Sequence, residues 1–214
     1  MHPHEIHLRV GSIQLNGAYC PLPDMHGMIV FAHGSGSSHR SPRNQMVASW
    51  LQREGFGTLL FDLLTPEEDT FYENRFNIDL LTQRLIGATR WLHHQTEAHE
   101  VPVGYFGAST GAAAAICAAA QTPGIAAVVS RGGRPDLARQ ALRQLDSPTL
   151  LIVGSLDEEV LQLNQMAFDS MHCEKQMAIV EGATHLFEEP GKMQEVCRLA
   201  AGWLHAHLDH VNAT

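Results

Sequence analysis

Positive charge is what this 214-residue sequence has too little of: 14 lysines and arginines stand against 23 aspartates and glutamates, for a formal net charge of −9 at pH 7. Nucleic-acid binding draws on a basic surface that neutralises phosphates, so nucleic acid is set aside as a partner. No stretch approaches the ~18 apolar residues required to span a bilayer, and no membrane partner is expected. The first residues, Met1-His2-Pro3-His4-Glu5-Ile6-His7, have neither the basic nor the apolar region of a secretion signal. Cys20, Cys117, Cys173 and Cys197 form no C-x-x-C pair. They read as small packing residues of a reducing compartment, and the expected location is cytoplasmic.

Cofactor motifs are absent too. No G-x-x-x-x-G-K-[ST] occurs, and Gly34-Ser35-Gly36-Ser37-Ser38-His39 puts histidine where a dinucleotide fingerprint has its third glycine. There is no H-E-x-x-H. His2, His4 and His7, like His205, His207 and His210, lie at the chain ends and read as solvated residues. No cofactor and no metal are therefore expected.

What remains is a soluble-type composition, 44% hydrophobic and 17% charged, long enough for one domain over 1–214 that buries roughly 70% of its unfolded surface. Short apolar runs alternate with helical stretches, which predicts an α/β protein with a mostly parallel sheet and helices on both faces. Ile6–Val10 and Ile13–Tyr19 form an opening hairpin. Strands follow at Met28–Ala32, Thr58–Phe61, Pro102–Phe106, Ile125–Val129, Thr149–Val153 and Met177–Val180. Helices are expected near Asn44–Arg53, Ile78–His94, Ala112–Ala120, Pro135–Leu145, Glu158–Met171 and Gly191–His207. Asp62–Asn77 is polar and irregular. No segment is long enough for a separate lid domain, so the site should be fairly open.

The chemistry gathers in three loops. Gly107-Ala108-Ser109-Thr110-Gly111 has the form G-x-S-x-G between an apolar strand and an alanine-rich helix, where a sharp turn projects the serine hydroxyl from the sheet edge. Asp157 follows the Thr149–Val153 strand, and His185 follows Met177–Val180. The chain order Ser109, Asp157, His185 is that of α/β-hydrolases. A serine hydroxyl is a poor nucleophile until an imidazole accepts its proton, and the carboxylate sets the imidazole tautomer. Glu158 and Glu159 compete for the acid role, but they fit the first turn of the following helix. The oxyanion donors are expected at the backbone N–H of Thr110 and in the loop His33-Gly34-Ser35-Gly36, with Ser35 N–H preferred over Gly34 and Gly36. His33 itself is expected to brace that loop by a backbone hydrogen bond.

Arg40 and Arg43 lie in one loop of the same edge, and Arg131 and Arg134 in another. Arg131, Arg43 and Arg134 are candidates to receive an anionic group of a small-molecule ester, since a guanidinium fork suits a carboxylate. Solvated loop arginines, or Arg131 tying down the Gly132-Gly133 turn, are the alternative.

His33-Gly34-Ser35-Gly36-Ser37-Ser38, the Gly107–Gly111 elbow, Ser130-Arg131-Gly132-Gly133-Arg134-Pro135-Asp136 and Gly182-Ala183-Thr184-His185-Leu186-Phe187-Glu188 together resemble the dienelactone-hydrolase-like α/β-hydrolases. More narrowly, they resemble a subgroup whose relatives are sometimes fused to a phosphoribosyltransferase domain. The resemblance runs from about Met28 to Trp203. It implies the α/β-hydrolase fold, with Ser109 as nucleophile, Asp157 as acid, His185 as base and the His33–Gly36 loop at the oxyanion. Dienelactone hydrolases proper carry cysteine at the elbow, so Ser109 points to ordinary carboxylic-ester hydrolysis. Two other readings stay open: a non-catalytic module that binds a metabolite or a partner, and an acyltransferase or small peptidase using the same three residues.

Overall fold

A computed structural model of the chain describes residues 3–209; Met1, His2 and residues 210–214, with His210 of the terminal histidine group, lie outside it. β1 (His4–Val10) and β2 (Ile13–Cys20) pair antiparallel around Gly11, whose φ of +61° makes the tight turn. β2 then runs antiparallel to β4 (Gly57–Phe61). The remaining strands are all parallel: β3 (Met28–Ala32), β4, β5 (Val103–Ala108), β6 (Ile125–Arg131), β7 (Thr149–Gly154) and β8 (Lys175–Val180). The eight strands lie in the order β1-β2-β4-β3-β5-β6-β7-β8.

β3, β4, β5 and β7 are buried along their whole length, which is why they read as unbroken apolar runs. Alternate residues supply two cores. Val30, Leu59, Tyr105, Val128 and Leu151 face α2 (Ile78–His93) and α3 (Thr110–Gln121). Ile29, Phe31, Leu60, Phe106, Val129 and Ile152 face α1 (Pro42–Arg53) and α6 (Lys192–Leu208). Each fully buried Leu, Ile or Phe contributes about 1.5–3 kcal/mol. β3 connects to β4 on one side, while β5 lies on its other side, so the chain reverses direction across the sheet there. Ligand sites of open α/β sheets form outside the carboxyl ends of strands at such a switch point. The His33–Gly36 loop and Ser109 both stand there.

The structure departs from expectation in three places. Pro135–Leu145 is not one helix. It is a 3₁₀ turn at Pro135–Ala138, then Arg139 with φ +48°, then the short α4 (Ala141–Gln144). A left-handed residue cannot continue a right-handed helix, so Arg139 ends the first turn. α1 begins at Pro42, earlier than Asn44, because Ser41 caps Asn44 N–H and a proline suits the first helical position. The Asp62–Asn77 segment is also more ordered than its polarity suggests. It holds 3₁₀ turns at Glu68–Thr70 and Tyr72–Phe76, tied by ion pairs from Glu68 to Arg84 and from Asp69 to Arg75. Among the described residues, no helix is long and apolar enough to cross a membrane.

Candidate active site

Ser109 closes β5 with φ +52° and ψ −122°, a conformation that stores about 1–3 kcal/mol in a non-glycine residue. Its neighbours over-determine it. Ser109 N–H donates to Arg131 O (3.3 Å), and the Ser109 carbonyl accepts from Ala112 N–H (3.1 Å) and Arg134 N–H (3.1 Å). The two motif glycines are required by close approach. A Cβ on Gly107 would lie 2.5 Å from Ala112 Cα, and one on Gly111 only 2.2 Å from Ala32 O.

Asp157 occupies the N-cap position of α5 (Glu158–Ser170), yet its carboxylate does not cap the helix. It accepts instead from His185 Nδ1 at 2.6 Å. That fixes Nδ1–H toward the acid and leaves Nε2 as the free acceptor. Glu158 and Glu159 lie in the first turn of α5, as their spacing predicts. The acid and histidine loops are laced together: Ser155 N–H bonds Val180 O, Leu156 N–H bonds Ala183 O, and Gly182 N–H bonds Ser155 Oγ. Thr184 donates to Glu189 through both N–H and Oγ1, which holds the Glu189 carboxyl below its ordinary range. Phe187, fully buried with φ +55°, anchors the far side of the histidine turn in the core.

The Gly34 loop lies against the elbow, since a Cβ on Gly34 would meet Ser109 Cβ at 3.1 Å. His33 braces it as expected. Leu63 N–H donates to His33 Nε2 (3.0 Å), so the ring proton is on Nδ1, which donates to Gly34 O (2.8 Å). Burial pushes the His33 pKa down, keeping the ring neutral. Ser37 N–H also bonds Gly34 O. In a trans peptide the next N–H points the opposite way, so Ser35 N–H is turned out of this anchored turn. Thr110 stands at the first position of α3, where a backbone N–H has no intrahelical acceptor.

The arginines differ from one another. Arg134 is clasped by Asp136 through Nε and Nη2 at 2.9 and 2.8 Å. Arg40 is exposed, 3.8 Å from Glu5. Arg131 is only 6% exposed and reaches Asn44 Oδ1 from Nη2 at 3.4 Å, with no partner on Nε. Burial first, then the charge of Arg43, pushes its pKa down to about 10. Arg43 is half-buried in the first turn of α1.

A family model described as an alpha/beta hydrolase domain matches residues 25–201. The chain belongs to that hydrolase family. It resembles the dienelactone-hydrolase-like branch: a crystal structure of dienelactone hydrolase from Anabaena variabilis is 47% identical with a TM-score of 0.93, over 97% of this chain and 100% of that one. Two curated proteins of Mycobacterium tuberculosis, strains CDC 1551 / Oshkosh and H37Rv, are 51% identical over 205 residues, 95% of this chain, and bear the name phosphoribosyl transferase. The hydrolase chain spans 46% of their length. An alpha-beta serine hydrolase homologue from Coxiella burnetii shares the fold at 18% identity, with a TM-score of 0.78 over 94% of this chain and 97% of that one.

Sequence reasoning missed the Arg131–Arg134 turn as a scaffold of the candidate site. It read those residues for their side chains, whereas their backbone grips Ser109 and Gly132 lies against His185, whose Cε1 would be 3.5 Å from a Cβ there. The paired glycines beside the elbow's strand were the available signal.

Proposed function

We propose that this hydrolase cleaves small carboxylic esters through an acyl-enzyme, with Ser109 as nucleophile, His185 as general base and Asp157 as the acid that orients it. The observation that carries this reading is the 2.6 Å Asp157–His185 pair on loops laced to each other, with His185 against Gly132, the residue after the Arg131 carbonyl that binds the strained Ser109 elbow. In the proposed cycle His185 Nε2 takes the Ser109 proton as Oγ attacks the ester carbonyl. Imidazolium is stabilised by Asp157 and then protonates the departing alcohol. Water, activated by the same imidazole, releases the acid. Thr110 N–H and Ser35 N–H, with Gly34 N–H beside them, would receive the oxyanion, and losing one such donor typically lowers turnover ~10²–10³-fold. No metal or nucleotide enters this scheme.

Arg131 and Arg43 remain the candidates for a substrate carboxylate, since the Arg134 fork is filled by Asp136.

Fluorophosphonate labelling is the direct test. The proposal expects stoichiometric label on Ser109, none on Ser109→Ala, and p-nitrophenyl acetate or butyrate hydrolysed faster than octanoate. His185→Ala should be nearly as inactive as Ser109→Ala, with little further loss in the double variant, because such residues act as a unit. A folded protein that takes no label is the non-catalytic module. A dienelactone belongs in the substrate panel because the Anabaena variabilis relative bears that name. Added alcohol or amine acceptors separate hydrolysis from acyl transfer.

A further inference from the structure

The edge of the sheet opposite Ser109 carries a second group of chemistry-bearing side chains. His26 precedes β3, while His205 and Asp209 lie one helical turn apart at the end of α6. Their ligand atoms all lie within 4.8 Å of one another. We infer that His26, His205 and Asp209 bind a divalent cation of the zinc class.

Four observations support the site. First, the distances suit it: His26 Nδ1 is 3.1 Å from Asp209 Oδ1, and His205 Nδ1, which hydrogen-bonds Asp209 Oδ2 at 3.0 Å, would release that proton to the solvent on ligating the ion. Tetrahedral zinc with bonds of ~2.0–2.1 Å separates neighbouring ligand atoms by about 3.3–3.4 Å, so small side-chain shifts would seat it. Second, among the described residues Asp209 Oδ1 is buried and has no hydrogen-bond partner, because the close His26 nitrogen does not meet it in hydrogen-bonding geometry. A lone pair left free on that oxygen beside a ring nitrogen is open to a common ion.

Third, an outer shell is present. Glu54 Oε2 lies 3.5 Å from His205 Nε2, on the ring nitrogen remote from the proposed ion, which is where a carboxylate fixes the tautomer of a ligating histidine. Phe56, fully buried, packs against both imidazoles at 5.7 and 4.7 Å between ring centres. Gly55, with φ +87°, passes so close that a Cβ would lie 2.6 Å from His26 Cδ2, and its carbonyl accepts His26 N–H at 3.0 Å. Fourth, the charge is right. Among the described residues neither Glu54 nor Asp209 is paired with a lysine or arginine, so two carboxylates face two imidazoles without a cation.

Three protein ligands leave one position for water on the side where His26 is exposed. The ion would fasten the end of α6 to the entrance of β3 and, through Glu54, to the end of α1. The site lies at the end of the sheet opposite Ser109. The sequence grouped His205 with its helix neighbours; the fold instead brings it to His26 and Asp209.

The test is titration of the chelator-treated full chain with Zn(II) by calorimetry and with Co(II) by visible absorption. The expected result is one equivalent bound, a tetrahedral Co(II) spectrum, and a Tm that rises with Zn(II). His26→Ala and His205→Ala should each lose that equivalent and the Tm rise. Glu54→Gln, which keeps every ligand, should weaken binding about 10–100-fold with the spectrum retained. His26→Ala carries the test if His205→Ala fails to fold, since His26 is exposed. No bound equivalent in the wild type overturns the inference, as does binding of equal affinity in His26→Ala, which would place the ion on other histidines.

Discussion

Ser109 N–H and Arg131 O meet at 3.3 Å between the ends of β5 and β6, and three residues later Arg134 N–H returns to the Ser109 carbonyl at 3.1 Å. The Arg131–Arg134 turn thus holds both backbone polar groups of a residue whose φ is +52°. It can do so only because Gly133 has no side chain. A Cβ there would lie 2.0 Å from Ser130 Oγ and 2.6 Å from Ala112 Cβ. Gly133→Ala should therefore destabilise the protein by about 1–3 kcal/mol, the usual range for overpacking. It should also lower kcat at least tenfold, with a smaller change in KM. Urea melts and steady-state kinetics on p-nitrophenyl acetate read the two effects. Lost stability with wild-type kcat would remove the turn from any role in positioning Ser109.

The acid assignment has a sharp test. Asp157→Asn preserves size but stabilises the wrong imidazole tautomer, a change that costs about 10⁴-fold in the serine-protease triad where it has been measured. Glu158→Gln and Glu159→Gln should stay within a few-fold of wild type, since both lie in the first turn of α5 and the Asp157 carboxylate already holds His185. Loss at Glu158 with Asp157→Asn nearly silent would shift the acid by one residue.

His33 predicts a dependence on pH. Its folded pKa lies below the ordinary value of 6.5, with burial as the main cause. Above pH 6.5 the ring is neutral in both folded and unfolded chains, and its contribution to stability is fully present. As pH falls below 6.5 the unfolded chain takes up a proton that the folded one resists. Stability is therefore lost on acidification, with a slope approaching about 1.4 kcal/mol per pH unit until the folded pKa is reached. Protonation of Nε2 would also displace Leu63 N–H from the ring. His33→Ala should flatten this limb of a Tm-versus-pH curve and lower kcat by up to ~10²–10³-fold by releasing the Ser35 donor. An unchanged acid limb in the variant would assign the slope to other groups.

The middle of the sheet was legible because β3, β4, β5 and β7 are buried on both faces, so Met28–Ala32 and Thr149–Val153 stand out as apolar runs and the loops after them are fixed in place. The elbow was legible for the same reason: Gly107 and Gly111 sit where no other residue fits. The Pro135–Leu145 break was not, since Ala138, Leu142 and Leu145 are all buried at helical spacing and only the backbone of Arg139 interrupts them. Likewise, long-range pairs such as Glu68 with Arg84, or His26 with Asp209, join residues by the closure of the fold and leave no local pattern.

The last prediction concerns the charge beside the site. Arg131 is buried without a carboxylate partner, and Arg43 lowers its pKa further, so two cations share one end of α1 with no anion on Arg131. An ester bearing a free carboxylate would relieve that repulsion. If Arg43 or Arg131 receives it, such an ester should exceed its neutral isostere in kcat/KM by roughly 10- to 150-fold, the equivalent of a charge-assisted pair of about 1.5–3 kcal/mol. Arg43→Ala should erase the preference and leave neutral esters unaffected, while Arg43→Lys should restore part of it, because the bidentate fork is lost. Arg131→Met, which keeps the apolar stem, tests the buried partner without a large cavity. Equal kcat/KM for the charged and neutral esters in the wild type would leave both arginines as braces, with Arg131 tying its turn to Asn44 on α1.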